Sequence, residues 1–425
     1  MINRVQEPSL NPVSKIELVK PRKIKLNNGV EVNMVSAGEQ EIVKLELVFK
    51  AGEWAHEHAI FATAVNELMD EGTTKRSAFE ISQAFDYYGA YLQTECTLDF
   101  ASVKLYTLTR FASQTFSLLL EVLTEAVFPE KEIATYAEQN IHQLKVSRQK
   151  VDYLARKEFN RLLFSEQHPY GRVVTEKSYL DLQSKQLIEK HKTWYAPSNC
   201  FILLSGKINN ETEDALQEIF GKWTGENSAA TDQQYPAPVI DGISQKHMIT
   251  KDGALQSAIR IGKVLFNKTH PDFVPLTVLT TLLGGYFGSR LMSNIREDKG
   301  YTYGIGSSLL SMKHAGYFVI STQVGNDVRD AALKEIYFEL DRLATQPIPI
   351  EELDLVKNYL TGSFQRSIDG PLSWADRLKS LITYDLGLEF YENYLEKISK
   401  TTPDQLQQMA IKHLQPSTML EVVAG

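Results

Sequence analysis

The residues best suited to chemistry lie in the stretch 284–306, which reads GGYFGSRLMSNIREDKGYTYGIG. Its apolar residues keep helical spacing around Arg296, and a glycine then breaks the helix before Tyr303. An arginine offers a forked, permanently charged donor to a carbonyl, and a phenol can donate a hydrogen bond to an oxyanion. The stretch therefore predicts a grip on a substrate backbone. A structural interpretation stays open, in which Arg296 pairs with Glu297 or Asp298 and Tyr303 is an ordinary strand aromatic.

The elements that must position this pair are a helix and a strand. We expect the helix to cover residues 290–298 and a strand to begin directly after Gly300. Because successive side chains of a strand point to opposite faces, Tyr301 would then face away from Tyr303. The glycines that open the stretch predict a turn between helices rather than a phosphate cradle, since no strand precedes them and no Gly-Lys-Ser/Thr follows.

Length and composition predict a soluble globular protein of two or three domains. The chain has 425 residues, of which 43% are hydrophobic and 23% are charged. Its net charge of −8 argues against nucleic acid or an anionic membrane as partner. No apolar run reaches the roughly 18 residues of a membrane span. The two cysteines, Cys96 and Cys200, exclude a disulfide framework and a thiolate zinc site. The N-terminal residues lack the apolar core of a signal peptide, so we expect a cytoplasmic protein, or a periplasmic one if a leader was removed.

The chain repeats itself with a shift of about 220 residues. APSNCFILLSG and QPSTMLEVVAG share a proline and a final glycine, each 219 positions apart, and FPEKEI and IPIEEL match at a shift of 220. SAFEISQAFDYYG and SRLMSNIREDKG match less well at a shift of 211. The hydrophobic spacing in both copies predicts strands and helices. We therefore predict an α+β fold of two homologous α/β-roll domains, each with a mixed or antiparallel sheet and helices packed on one face.

The predicted boundaries follow from the repeat and from composition. We expect an N-terminal arm at 1–23, a first domain at 24–220 and a second domain at 243–425. The segment 221–242 is polar, contains glycines and prolines, and shows no sustained period, which is typical of a linker. Near the start of the first domain, Asn28-Gly29 predicts the turn of a hairpin.

Four segments resemble the M16 zinc peptidases, a family that includes pitrilysin, insulysin and the mitochondrial processing peptidase. They are HPYGR (168–172), WYAPSNCFILLSGKI (194–208), ELMDEGTTKRSAFEI (67–81) and the stretch 284–306. The resemblance extends over nearly the whole chain, and the segments occur in the family's order. It implies a pair of α+β-roll domains, in agreement with the repeat.

The zinc motif of the family is missing. Active members carry His-x-x-Glu-His on a helix just before the Gly-Thr pair found here at 72–73, with a glutamate downstream as the third ligand. The corresponding residues here are Thr63, Asn66 and Glu67, and the third position falls at Gln139, with Glu138 directly beside it. Zinc is held by imidazole, thiolate or carboxylate donors, so the resemblance implies a degenerate motif and no metal in this chain.

Other histidines leave an alternative metal site open. His56 and His58 flank the start of the motif helix, and His142 lies one turn beyond the third-ligand position. Scattered histidines are more often surface or capping residues than ligands.

By contrast, Arg296 and Tyr303 stand seven positions apart in the R-x-x-x-G-x-x-Y setting of the family. In the family, the arginine holds the substrate backbone and the tyrosine contacts the tetrahedral intermediate. The resemblance thus implies a pseudo-peptidase subunit that binds peptides and forms a heterodimer with an M16 chain carrying the zinc motif. Zinc would lie on the partner, and this chain alone would cleave nothing. The alternatives are a purely structural M16-like scaffold and a self-sufficient peptidase with another metal constellation.

Overall fold

The computed structural model describes residues 18–225, 235 and 245–425, which contain two sheets. The strands of the first half are β1 (Arg22–Lys25), β2 (Glu31–Ser36), β3 (Ile42–Phe49), β4 (Tyr91–Cys96), β5 (Ala101–Leu108) and β6 (Cys200–Gly206). Those of the second half are β7 (Gln245–Ile249), β8 (Gln256–Leu265), β9 (Ile305–Ser311), β10 (Gly316–Gly325) and β11 (Leu420–Ala424).

The two sheets have the same topology. Their strand orders are β1-β2-β6-β3-β5-β4 and β7-β11-β8-β10-β9, which correspond strand for strand once β1 is set aside. In both, one pair is parallel (β2 with β6, β7 with β11) and the remaining pairs are antiparallel. The predicted α+β class with two homologous halves is confirmed. The hairpin at Asn28-Gly29 is also present, because β1 pairs with β2 across a turn in which Gly29 has φ +92°.

Each half also contains α-helices, eight in the first and six in the second among the described residues. The first half has α1 (Phe61–Leu68), α2 (Ala78–Tyr87), α3 (Ala112–Glu125), α4 (Glu130–Ser147), α5 (Val151–Phe164), α6 (Glu176–Leu180), α7 (Ser184–Trp194) and α8 (Asn210–Phe220). The second has α9 (Phe273–Thr280), α10 (Arg329–Thr345), α11 (Ile350–Arg366), α12 (Pro371–Ile382), α13 (Glu389–Lys400) and α14 (Pro403–His413). Two π-helical segments, Thr281–Gly285 and Met292–Asp298, lie between α9 and β9.

Each half has its own apolar core, where helices of that half cover one face of its sheet. The opposite face of each sheet is covered by a helix from the other half. Trp374 and Leu378 of α12 pack on Val48 and Leu203 of the first sheet. Reciprocally, α5 packs on strands β8, β10 and β11 of the second sheet. One face of each sheet is therefore buried by a helix of the other half.

Buried charged side chains lie where α12 packs on the first sheet. Lys44 and Glu46 of β3 are both fully buried on the face that meets α12. The Nζ atom of Lys44 lies 2.7 Å from Oδ1 of Asp376, and Nζ of Lys379 lies 2.8 Å from Oε1 of Glu46. A buried charge is costly unless it is paired, so these contacts fix the position of α12 on the first sheet.

The segment HPYGR has a structural role at the junction of the halves. The hydroxyl of Tyr170 donates to Asp99 and accepts from the backbone amide of His314 at 3.2 Å. The amide of Lys313 donates to Asp99 at 2.9 Å, and the ring of Trp54 stacks on that of His314 at 3.8 Å. Lys313 and His314 form the turn after β9. These contacts therefore anchor the end of the strand that follows Arg296 and Tyr303 in the chain.

Most of the predicted linker lies outside the described residues, as does the start of the predicted arm, and the domain boundaries stay predictions. Of the linker, residues 221–225 and Tyr235 are described. Tyr235 is anchored to the first half, where its hydroxyl accepts from Arg172 at 2.9 Å. Among the described helices, none has the length and hydropathy needed to cross a bilayer.

Candidate functional site

The zinc-motif positions lie on α1, whose start is held by Glu53. The residue before the helix, Ile60, has a left-handed backbone (φ +79°) and offers no capping side chain. Glu53 supplies the missing acceptor from outside the helix. Its Oε2 accepts from the amide of Ile60 at 3.2 Å, and its Oε1 accepts from the hydroxyl of Thr63 at 2.9 Å. Burial raises the pKa of Glu53, while these hydrogen bonds and nearby Arg172 oppose the rise.

Asn66, at the position of the general base, faces the interior of the first half and is fully buried. Its amide nitrogen donates to the hydroxyl of Tyr195 at 3.1 Å and to the carbonyl of Ser102 at 3.3 Å. A neutral amide cannot take a proton from water at ordinary pH, and this amide nitrogen is already bonded to its own chain. Asn66 is therefore a structural residue of the core.

Glu67 and Gln139 occupy the remaining two positions, and the structure separates them. Gln139 lies exposed on α4. The residue of α4 beside the carboxyl of Glu67 is Tyr136, three positions earlier. Glu67 is exposed as a residue, but partial burial of its carboxyl raises the pKa, and the phenol of Tyr136 opposes that rise.

These side chains do not fit a zinc ion. A hydroxyl bonded to Glu53, a buried amide and one carboxylate offer a single donor of the type that zinc prefers. The histidines considered as an alternative are dispersed: His56 is buried against Trp194, with a pKa lowered by burial to about 3, whereas His58 and His142 are exposed. Within the part of the chain that the structure describes, no three His, Cys, Asp or Glu side chains are grouped to hold a metal.

Arg296 lies in the π-helical segment Met292–Asp298, in which Ile295 points into the core. π-Helical turns are frequent at functional sites. The Cζ of Arg296 lies 4.9 Å from the centroid of the Phe287 ring. Among the described residues, Arg296 forms no ion pair within 4 Å, so pairing with Glu297 or Asp298 is not observed.

A glycine turn ends this helix and leads to Tyr303. Gly300 has φ +67°, its amide donates to the carbonyl of Arg296 at 3.2 Å, and the amide of Tyr301 donates to the carbonyl of Ile295 at 3.0 Å, so a left-handed glycine ends the helix. Farther back, Gly284 packs against β9 so closely that a Cβ atom would lie 2.5 Å from the amide nitrogen of Ser307. Glycine is therefore required where the first π-helical segment meets the strand.

The prediction that Tyr301 and Tyr303 lie in a strand is wrong, because β9 begins only at Ile305. The hydroxyl of Thr302 donates to the carbonyl of Gln323 at 2.7 Å and accepts from the amide of Gly304 at 3.1 Å. These side-chain bonds fix the loop before the pairing of β9 with β10 begins. Tyr301 packs on the second core, whereas Tyr303 is 94% exposed. The loop backbone is fixed and the phenol of Tyr303 is free.

The structure thus places the predicted site residues in two separate regions. Thr63, Asn66 and Glu67 share α1 in the first half, while Arg296 and Tyr303 flank one glycine turn in the second. No hydrogen bond or ring contact in the described ranges joins the two regions, and none joins Arg296 to Tyr303.

Two contacting residues were not predicted from the sequence. Glu53 lies ten positions before Thr63, and no motif connects them. Phe287 lies nine positions before Arg296, so its contact depends on the turn between two helical segments. No sequence pattern pointed to Phe287, because single exposed aromatics are common on protein surfaces.

Comparison with known proteins shows that the chain is similar to M16 peptidases and their homologues. Residues 181–360, which include Arg296 and Tyr303, match the family model described as the peptidase M16 inactive domain. The chain is 25% identical over 356 residues to an uncharacterised zinc protease of Rickettsia felis, across 79% of this chain and 81% of the relative. It is 22% identical over 357 residues to the non-peptidase homolog YmxG of Helicobacter pylori, across 82% and 78%.

A solved structure has the same fold. The crystal structure of a peptidase M16 inactive domain from Pseudomonas fluorescens is similar with a TM-score of 0.85 and 25% identity, over 95% of this chain and 98% of that chain. The resemblance to the M16 family predicted from the sequence is confirmed, and the inactive-domain match is consistent with a non-catalytic protein.

Proposed function

We propose that this M16-like chain is the non-catalytic subunit of a heterodimeric zinc peptidase, in which it binds peptide and supplies Arg296 and Tyr303 to the partner's zinc site. The partner subunit would carry the intact His-x-x-Glu-His motif and with it the zinc chemistry. This chain would hold no zinc and would cleave no peptide alone.

One observation supports the proposal: the side chains of Thr63, Asn66 and Glu67 form hydrogen bonds within their own half, whereas those of Arg296 and Tyr303 form none with the residues that the structure describes. Thr63 donates to Glu53, and Asn66 donates to Tyr195 and Ser102. Tyr303 is almost fully exposed on a pinned loop. A donor that has no partner among the described residues is available for a ligand.

The roles of the two residues follow from their chemistry. The guanidinium of Arg296 has several N–H donors in a fixed fork and can hold a backbone carbonyl of an extended peptide. The phenol of Tyr303 would donate to the oxygen that gains negative charge when a peptide carbonyl is attacked. Loss of one such oxyanion donor typically lowers turnover by about 100- to 1000-fold.

Purification of the native complex tests the proposal. We expect the tagged chain, isolated from its own cells, to bring with it an M16 chain that carries the zinc motif. The complex should cleave an unfolded peptide, a chelator should abolish the cleavage, and the chain stripped of its partner should be inactive. Cleavage by the pure single chain, with one equivalent of tightly held metal, would contradict the proposal.

A second candidate is a structural M16-like scaffold with no catalytic role in any complex. The description of the Helicobacter pylori relative as a non-peptidase homolog favours it. The same purification separates the two candidates, because a scaffold would be recovered without a zinc-motif chain, or with one whose activity does not depend on Arg296 or Tyr303.

A further inference from the structure

We infer that Phe287 is a positioning residue that holds the guanidinium of Arg296 ready for a peptide carbonyl. The inference rests on the proposed function and extends it, because it adds a third residue to the grip.

The geometry shows a direct contact. The Cζ of Arg296 lies 4.9 Å from the centroid of the Phe287 ring, inside the range in which a cation is attracted by an aromatic face. Phe287 is 62% exposed, so the core does not account for its presence at this position. The ring of Phe287 therefore contacts Arg296 at the protein surface rather than filling the core.

The surroundings explain why Arg296 needs such a support. Acidic neighbours follow it directly in the chain, at Glu297 and Asp298, yet neither forms an ion pair with it among the described residues. Carboxylates would occupy the N–H donors that a carbonyl requires. An aromatic face attracts the charge without accepting an in-plane hydrogen bond, so the edge of the guanidinium stays available.

The position of Phe287 is itself fixed by its neighbours. It follows Tyr286, whose ring contacts that of Tyr359 on α11 at 5.3 Å, and it precedes a buried Ser289 and Arg290. Arg290 makes a two-point ion pair with Glu352 at 2.8 Å for both bonds. The turn is therefore anchored on both sides of the exposed ring.

The second half offers a matched control for this contact. Phe338 on α10 is 49% exposed and lies under Arg342, whose Cζ is 5.7 Å from the ring centroid. This is the same type of pair outside the proposed grip, because Arg342 is bonded to the carboxylate of Glu339.

The test measures binding of a defined peptide to the full chain. The probe is a fluorescein-labelled 20-residue peptide of Gly, Ser and one central Phe, followed by fluorescence anisotropy. We expect Arg296→Ala to weaken binding by about tenfold or more, the effect of losing a charged hydrogen bond. Phe287→Leu should weaken it about two- to fivefold, the usual strength of an exposed cation–π pair. Phe287→Tyr, which keeps an aromatic face, should bind the peptide as tightly as the wild type, and so should Phe338→Leu.

The design separates a positioning role from a structural one. Phe287→Leu should have no further effect in the Arg296→Ala background, whereas a general loss of structure would add to it and lower the thermal midpoint. If Arg296→Ala weakens binding but Phe287→Leu does not, the positioning role is wrong and the proposed function stands. If neither substitution changes binding, the peptide grip itself is wrong.

Discussion

The two halves have the same strand order, but the polar side chains of their candidate sites differ in whether they are hydrogen-bonded within the half or exposed. In the first half, Thr63 and Asn66 of α1 donate to groups of the same half. In the second half, the loop after Gly300 binds its own backbone through Thr302 and leaves Tyr303 exposed. A side chain bonded within its own fold contributes to stability, and one that is exposed on a fixed backbone is free to bind. This contrast supports the binding role that we propose for Tyr303 in the second half.

Among the substitutions that test this difference between the halves, we expect the largest effect on turnover and at Tyr303. Replacing Tyr303 by phenylalanine removes one exposed hydroxyl, so we expect kcat of the heterodimer to fall by about 100- to 1000-fold. The free energy of unfolding and the affinity for the partner should remain within experimental error, because the hydroxyl of Tyr303 forms no hydrogen bond within the described ranges. Steady-state kinetics and urea denaturation measure the two quantities. Unchanged kcat would remove the catalytic role of this loop.

In the first half, substitution should give the opposite result. Asn66→Ala leaves the hydroxyl of Tyr195 and the carbonyl of Ser102 without their donor in a buried site, and we expect a loss of about 1–3 kcal/mol in unfolding free energy. The activity per folded heterodimer should not change. Tyr195→Phe is the matched control, and the two substitutions should be less than additive because they remove the same hydrogen bond. A loss of activity without a loss of stability would give Asn66 a functional role.

The smallest expected effect is a dependence on pH in the same region. Because burial raises the pKa of Glu53 above its unfolded value of 4.5, the folded state holds this proton longer than the unfolded state. Its contribution to stability is present below about pH 4.5 and is lost as the pH rises through the raised pKa. Glu53→Gln removes this titration while keeping an oxygen acceptor for Thr63.

Urea denaturation at pH 5 and pH 8 measures that difference. We expect the unfolding free energy of Glu53→Gln, relative to that of the wild type, to be higher at pH 8 than at pH 5, because the wild type loses the contribution of its protonated carboxyl over this range. An equal difference at both pH values would show that Glu53 does not titrate in this window.

Local patterns predicted much of the fold. The turn at Asn28-Gly29 and the duplication follow from residues close in sequence or from a fixed shift, and both are seen in the sheets. The coverage of each sheet by a helix from the other half was not predictable, since it joins Lys44 to Asp376 across 332 positions. Hydrophobic spacing tells which face of a helix is buried but does not tell which sheet buries it.

The candidate site was predictable in its residues but not in its contacts. The spacing of Arg296 and Tyr303 identified the pair, in which Tyr303 is exposed and Arg296 is half-buried. The strand expected at Tyr303 is nevertheless a loop, because a hydrogen bond from Thr302 to Gln323 delays the start of strand pairing. The residue of α4 beside Glu67 is Tyr136 rather than Gln139, which lies one helical turn later. This contact joins two helices at positions 69 residues apart, and spacing within one helix does not show which turn of α4 meets α1.

The most direct test of the central claim is a titration of cleavage activity with purified chains. This chain would be added in steps to a fixed amount of its zinc-motif partner, and the rate of peptide cleavage would be recorded at each step. We expect a rate near zero for either chain alone, a linear rise, and a plateau at one equivalent that is about 100- to 1000-fold lower with the Tyr303→Phe variant. A partner that is fully active by itself, or a plateau that the variant leaves unchanged, would contradict the claim that the active site is divided between two chains.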